Sequence, residues 1–371
     1  MEGSYDIHHK NEVNQFLVEA LKIPSLTELL VSLGTGDDLL SIHANRVAMI
    51  LQSIVSSAST KIANLTLIYP RGLLQLKSGI QIASVKRLSV TIHFAKTLMQ
   101  LINVTPNLEE LSLSIMMFDD TDLLKSIKLP QTLQKLHLEG GTYDYKKFSY
   151  EQPTFEMIRI FLDVFKHHIQ SLTLIMNNAD KKFATFDNFQ SLSNFKLVNL
   201  KKLVVTSRSK MFSAGFSRLL LKIVDLSPNL NSLSISSGTN PNNLIKQLQR
   251  IMPKKYGKQF LHFELFLESN SKQWEFSLEL SKMLPNLKTI SIHGEQRFLD
   301  NCFTSLIEFV EDLQTHFKKL ARLTIKTYGS NTDAFGRYEN DLKKLSKQTN
   351  NPIYYTAKDQ GVANYFLDIW L

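Results

Sequence analysis

A short apolar frame recurs along this chain and divides nearly all of it into units of similar length. The frame is one apolar residue followed by two more at offsets of three and five, as in Leu108, Leu111 and Leu113, and eleven copies of it form a series with spacings of 23 to 36 residues. Such a repeat is typical of solenoids, in which each unit buries its apolar side only against its neighbours. The frames begin at Leu26, Ile62, Val85, Leu108, Leu133, Ile169, Leu200, Leu230, Phe260, Leu287 and Leu320.

Each unit combines two hydrophobic periods. In the unit that begins at Leu108, apolar residues 111, 113 and 115 alternate with polar ones, which predicts a half-buried strand. Residues 95–104 instead place apolar side chains at helical spacing. Strand and helix alternate in this way along the chain, which predicts an α/β fold with a parallel sheet.

Three frames, at Leu108, Leu230 and Leu287, are preceded by Pro-Asn. Proline ends the preceding helix and biases the residue before it towards extended geometry. With this join, residues 13–355 resemble the leucine-rich repeat. Only Asn177 stands eight residues after the first residue of a frame, so there is no asparagine ladder. This departure and the long helical spacers are similar to the irregular repeats of ribonuclease-inhibitor-like and F-box-associated intracellular proteins.

The resemblance implies a horseshoe-shaped solenoid of about eleven or twelve irregular repeats, with a concave parallel β-sheet and outer helices. We interpret residues 1–12 as a flexible tail, 13–355 as one solenoid domain with an N-terminal cap helix at 13–25, and 356–371 as a C-terminal cap. Ile353 and Tyr355 suggest a twelfth strand. The apolar C-terminus also fits a docking tail for another protein. No F-box is recognised before the first strand.

Bulk properties favour an intracellular protein. The N-terminus is polar, no apolar run approaches transmembrane length, and the single cysteine, Cys302, cannot form an internal disulfide. We therefore expect the cytoplasm or nucleus. The formal charge of +9 favours acidic partners, although lysine pairs scattered over different structural contexts would equally serve solubility.

Catalytic and cofactor motifs are missing from the sequence. It contains no HExxH, GxSxG, phosphate-loop or CxxC motif. We therefore expect no enzyme activity, no cofactor, no metal and no small-molecule substrate. Nucleic acid is not expected either, because Phe266 is the only aromatic residue in the predicted contact positions.

The residue between the second and third apolar residues of each frame, such as Ser112, should face the inner wall of the horseshoe, and we call it the central inward position. It is Ser or Thr in seven of the eleven units. Small hydroxyl residues suit a tightly curved sheet, and they would also suit a polypeptide ligand. On the same inner side of the sheet, we expect four polar residues to contact a binding partner: Lys135, His137, His262 and His293.

An aromatic and basic insertion follows the fifth strand, and it is the second candidate contact surface. Its six candidate residues either bind a partner or fold back as a lid on the solenoid. They are Tyr143, Tyr145, Lys146, Lys147, Phe148 and Tyr150.

The function expected from these observations is non-catalytic protein binding, as a scaffold subunit of a larger assembly. The alternative is the substrate-recognition subunit of a ubiquitin ligase, as in F-box proteins with leucine-rich repeats. Regulation of a small GTPase is a third possibility that no specific residue supports.

Overall fold

The computed structural model of the chain has two compact units, Met1–Ile169 (unit 1) and Gln170–Leu371 (unit 2). No helix among the described residues is long and apolar enough to cross a membrane. The expected tail at 1–12 and most of the cap helix at 13–25 lie outside the described residues. The structure describes residues 19, 21, 23, 25–32, 48–54, 61–68, 79–92, 94–115, 121–140, 142–144, 149–151, 155–176, 196–207, 214–237, 245–246, 248–249, 257–267, 277–295, 305–328, 338, 340–344, 346–347, 354–359 and 364–371.

Unit 1 contains five parallel strands that pair in chain order. Helices follow the third, fourth and fifth strands, residues 48–54 between the first and second strands are also helical, and a short antiparallel hairpin precedes the last helix. The strands are β1 (Glu28–Ser32), β2 (Asn64–Ile68), β3 (Arg87–Ile92), β4 (Glu110–Ile115) and β5 (Lys135–Gly140), the hairpin is β6 (Thr142–Asp144) and β7 (Ser149–Glu151), and the helices are α1 (Ala95–Val104), α2 (Thr121–Lys125) and α3 (Phe155–Phe165).

Unit 2 contains six parallel strands followed by two antiparallel ones. The strands are β8 (Ser171–Met176), β9 (Lys202–Ser207), β10 (Ser232–Ser237), β11 (His262–Leu267), β12 (Thr289–Glu295), β13 (Arg322–Tyr328), β14 (Tyr354–Asp359) and β15 (Asn364–Trp370), and the helices are α4 (Ala214–Leu226), α5 (Ser277–Met283) and α6 (Leu306–His316). β15 lies between β13 and β14 and runs antiparallel to both.

The register of the parallel strands follows the apolar frame of the sequence. In unit 1, Leu30, Thr66, Ser89, Ser112 and His137 are consecutive register partners. The equivalent partners in unit 2 are Thr173, Val204, Ser234, Glu264, Ser291 and Thr324. These are the central inward positions of the eleven frames, so the predicted α/β fold of stacked strand and helix repeats is confirmed within each unit.

Burial alternates along the strands as the sequence predicts. In β4, Leu111, Leu113 and Ile115 are fully buried, whereas Glu110, Ser112 and Ser114 are half-buried. Full burial of a leucine side chain stabilises by about 1.5–3 kcal/mol. The helices complete the core from the other side: α1 buries Leu98, Leu101 and Ile102 among its apolar residues. We call the opposite side of each sheet, which carries the polar residues, its polar face.

A common turn leads into the strands. In nine of the eleven units, the N–H of the first frame residue donates to the carbonyl oxygen three residues earlier, as Leu230 does to Ser227. The N–H groups of the two residues that follow the first frame residue both donate to one carbonyl oxygen of the preceding unit. For example, those of Lys288 and Thr289 donate to the carbonyl oxygen of Leu261. These bonds set the register at the start of each strand.

The asparagine of each Pro-Asn join links neighbouring repeats. The side-chain Nδ2 atoms of Asn107, Asn229 and Asn286 donate to the carbonyl oxygens of Ala83, Val198 and Lys258 at 2.9, 2.7 and 2.8 Å. In every case the acceptor lies two residues before the frame of the preceding unit. The Pro-Asn pattern indicates the role of its proline from the sequence alone, whereas the role of the asparagine becomes visible only in the structure.

Candidate functional site

On the polar face of unit 2, three residues of each strand form aligned rows. The central row contains Ser234, Glu264, Ser291 and Thr324, and β15 extends it with Asp368, the register partner of Thr324. The two flanking rows run through Lys202, Ser232, His262, Thr289, Arg322 and Trp370, and through Thr206, Ser236, Phe266, His293, Lys326 and Phe366.

Glu264 is the centre of an ionic cluster on this face. Its Oε1 lies 2.9 Å from Nε2 of His293, and its Oε2 lies 3.3 Å from Nζ of Lys202. Lys202 is two strands away, and the serines of the intervening β10 are small enough for its long side chain to cross them. The ring of His293 packs against Phe266 with a centroid distance of 4.3 Å.

The environment of Glu264 keeps its carboxylate ionised. The hydrogen bond with His293 is the largest effect on its pKa; burial opposes it, Lys202 adds to it, and the pKa falls to about 2. His293 is almost fully buried beside it. The cluster therefore holds a fixed negative charge that is paired with the ammonium group of Lys202.

His262 lies in the flanking row and is held by a neighbouring hydroxyl group. Its Nδ1 is 2.8 Å from Oγ1 of Thr289. Burial, with a smaller contribution from the charge of Lys288, lowers the pKa of His262 below its ordinary value. The imidazole is consequently neutral at pH 7 and offers one hydrogen-bond donor and one acceptor.

The C-terminal strand adds aromatic and charged groups that the sequence analysis did not place on this face. Arg322 donates from Nε and Nη2 to the two oxygens of buried Asp368 at 2.7 and 2.6 Å, and Thr324 donates to the same carboxylate at 3.0 Å. The bond to Asp368 raises the pKa of Arg322. The guanidinium carbon lies 5.7 Å from the ring centroid of Trp370.

A second cation and ring pair stands at the other end of β15. Nζ of Lys326 lies 5.7 Å from the ring centroid of Phe366. The expectation that Phe266 is the only aromatic residue of the contact surface is therefore wrong. The antiparallel return of β15 brings Phe366 and Trp370 to the polar face, and the series of eleven frames ends at Leu320, before that strand.

Lys135 and His137 lie on the polar face of unit 1, around a different carboxylate. Glu110 is 3.4 Å from Nζ of Lys135, 3.1 Å from Nε2 of His137 and 3.8 Å from Nε of Arg87. Burial lowers the pKa of His137, although Glu110 opposes this effect. The cluster therefore gathers three basic residues on one acid.

The insertion forms the hairpin β6–β7, in which Tyr143 and Tyr150 are register partners. Tyr145, Lys146, Lys147 and Phe148 lie outside the described residues. The structure thus groups the four other predicted contacts in two sets, Lys135 with His137 in unit 1 and His262 with His293 in unit 2. Whether any of them binds a partner stays a prediction.

The chemistry available on these faces is hydrogen bonding and ion pairing. Among the described residues, no group of three or more His, Cys, Asp or Glu side chains could hold a metal ion. Cys302 lies outside that part of the chain. The polar groups among the described side chains of these faces are hydroxyl, imidazole, carboxylate, ammonium and guanidinium groups, most of them already fixed by a neighbouring strand, and Phe266, Phe366 and Trp370 stand beside them.

Comparison with known proteins adds little to this geometry. No family model and no curated protein sequence matches the chain. Among solved structures, a chain in the crystal structure of the yeast Rad7 and Elc1 complex matches with 13% sequence identity and a TM-score of 0.32. The match covers 89% of this chain and 93% of that one. A score this low supports no inference about function, so the resemblance to a leucine-rich repeat rests on the frame and its register.

Proposed function

We propose that this protein is a non-catalytic protein-binding solenoid that contacts its partner through the polar faces of its sheets and the insertion at residues 141–154, as a subunit of a larger assembly. The ordered rows of the polar face in unit 2 support the proposal most directly. Glu264, His262, Arg322 and Asp368 are all held by hydrogen bonds or ion pairs to neighbouring strands. A ligand would meet this surface already arranged.

Preorganisation matters because association costs the entropy of ordering side chains and loops at an interface. The described strands have their backbone groups paired in the ladder, and most central positions are short Ser and Thr side chains with little rotamer freedom to lose. Exposed Trp370 beside Arg322 supplies the residue types that most often dominate binding energy. The surface is therefore suited to a polypeptide that lies across several strands.

The experiment is affinity purification of the tagged chain from its own cells, followed by mass spectrometry of the retained proteins. A fixed set of proteins in near-equal amounts supports the scaffold function. Recovery of a cullin with its linker protein would instead indicate the ubiquitin-ligase alternative, which no specific observation in the structure favours. Recovery of no stoichiometric protein would contradict both.

A steric variant links the result to the polar face. Ser291→Arg places a long side chain on the central row between Glu264 and Thr324, and we expect it to abolish capture of the same proteins. The matched control is Thr315→Arg, at an exposed position of α6. Equal capture by both folded variants would exclude the polar face of unit 2 as the contact surface.

A further inference from the structure

The edge of the sheet at which the strands begin carries unbalanced positive charge in unit 2. We call this surface the turn edge. It consists of three positions in each unit: the two residues immediately before the first residue of the frame, and the one residue immediately after that first residue. From the frame at Leu200 to the frame at Leu320 it contains five lysines and no acidic residue. They are Lys201, Lys258, Lys288, Lys318 and Lys319, and all five are exposed.

Lysines that are distant in the sequence meet at this edge. Lys201 and Lys318–Lys319 lie at the turns that lead into β9 and β13. Residues separated by more than a hundred positions in the chain can thus share one edge of a parallel sheet.

The turn edge of unit 1 has a different balance. In the described frames of that unit, the charged Lys and acidic residues at the same positions are Lys61, Lys86 and Glu109, and Lys86 pairs with Glu109 at 2.8 Å. On the polar face of unit 2, Lys202 pairs with Glu264 and Arg322 with Asp368, and Lys326 lies over the ring of Phe366. The turn edge of unit 2, with five lysines and no acidic residue, therefore carries more unbalanced positive charge than the polar face.

The lysines of the turn edge act together. Neighbouring strands are about 4.8 Å apart, so lysines on adjacent strands lie within the Debye length of about 10 Å at 0.1 M salt. None of the ion pairs found among the described residues involves Lys201, Lys258, Lys288 or Lys318; Lys319 donates to Oδ1 of Asn286 at 2.8 Å. Their potentials therefore add along the edge, from β9 to β13.

The surroundings favour an acidic polypeptide over a nucleic acid. Single-stranded nucleic acids are bound by cations interleaved with aromatic residues on which bases stack. In the described frames of unit 2, the turn-edge positions carry no aromatic residue, and Trp370 stands only at the end of one neighbouring row. Lysine supplies mobile point charges, which suit carboxylates at irregular spacing.

We propose that the turn edge of unit 2 binds an extended acidic segment of the partner protein, running across the starts of β9 to β13. The inference rests on the proposed protein-binding function and assigns it a charge and a location. The carboxylates of the segment pair with the exposed lysines, while the rest of the partner reaches the hydroxyl-lined polar face beside them.

The test uses the full chain and two fluorescent probes, a repeating glutamate and serine peptide and an oligothymidylate of equal charge. The edge variant combines Lys201→Glu, Lys288→Glu and Lys318→Glu. The control variant combines Lys246→Glu, Lys344→Glu and Lys347→Glu, three exposed lysines of helical segments in unit 2, and it changes the net charge equally. Circular dichroism checks that both variants fold.

We expect the peptide to bind the unmodified chain, and its affinity to fall about tenfold or more in the edge variant and less than about twofold in the control. Raising the NaCl concentration from about 50 to about 300 mM should weaken peptide binding to the unmodified chain at least as strongly as the three substitutions of the edge variant do. Equal losses in both variants, or no peptide binding, would overturn the proposal. So would an oligothymidylate affinity well above that of the peptide, which would indicate a nucleic-acid surface. Because the probes are added directly, failure here leaves the capture experiment and the protein-binding function standing.

Discussion

Replacing Glu264 by glutamine should destabilise unit 2 in a manner that depends on pH. Glutamine keeps the shape of the side chain but removes the negative charge that contacts His293 and pairs with Lys202. Lowering the pKa from its ordinary value of 4.5 to about 2 corresponds to about 3 kcal/mol of stability at neutral pH. Because the Lys202 side chain is 45% exposed, solvent screening reduces the expected loss to about 2 kcal/mol.

The pH dependence follows from the direction of the pKa change. The folded state binds the Glu264 proton less tightly than the unfolded state, so the stabilisation is fully present above the unfolded pKa of 4.5 and disappears as the pH falls towards 2. At pH 3 less than half of it remains. The difference between the unmodified chain and the variant should shrink accordingly.

Thermal unfolding followed by circular dichroism measures both effects. A loss of about 2 kcal/mol in a unit of this size lowers the melting temperature by roughly 4–8 °C at pH 7. The matched control is Glu109→Gln, which removes an exposed carboxylate paired only with exposed Lys86, and we expect no measurable change. Equal shifts in the two variants, or a Glu264→Gln difference that is the same at pH 7 and pH 3, would refute the reasoning.

Three further predictions concern the repeat joins and the insertion. Asn286→Ala removes the side-chain bond to the Lys258 carbonyl and should cost about 1 kcal/mol in urea unfolding; no change would mean that water replaces the bond. Gly257→Ala would place a Cβ atom 1.7 Å from the Met283 carbonyl oxygen, so we expect about 2 kcal/mol of destabilisation, and an unchanged unfolding midpoint would contradict that close approach. Combining Lys146→Glu and Lys147→Glu with Tyr145→Ala and Tyr150→Ala should weaken partner capture without unfolding the chain, and retained capture by the folded variant would remove the insertion from the contact surface.

The sequence predicted the repeat and its register because both depend on local patterns. An apolar residue at a fixed offset from the frame must face the core, so aligning the frames also aligns the strands: Ser112 opposite His137 and Glu264 opposite Ser291 follow from the sequence alone. The same reasoning gave the bounds of the helix at Ala95–Val104. Local periodicity was sufficient for these features.

Contacts that cross several strands or reverse direction could not be predicted in this way. The pairing of Lys202 with Glu264 depends on two serines of an intervening strand, and the bond of Arg322 to Asp368 depends on an antiparallel strand that lies beyond the series of eleven frames. The lysines of the turn edge were visible individually in the sequence. Their grouping requires knowing which side of the sheet each turn occupies.

The turn at the start of each strand makes the alignment of the strands independent of the number of residues between them. The distance between frames varies from 23 to 36 residues, yet the described parallel pairs keep the same alignment, because the bonds that fix it lie within the turn and the first residues of the strand. A spacer can therefore gain or lose residues without shifting any side chain from one face to the other. The segments between strands are consequently where this protein can accept an inserted epitope or fluorescent label while both faces of the sheet keep their residues.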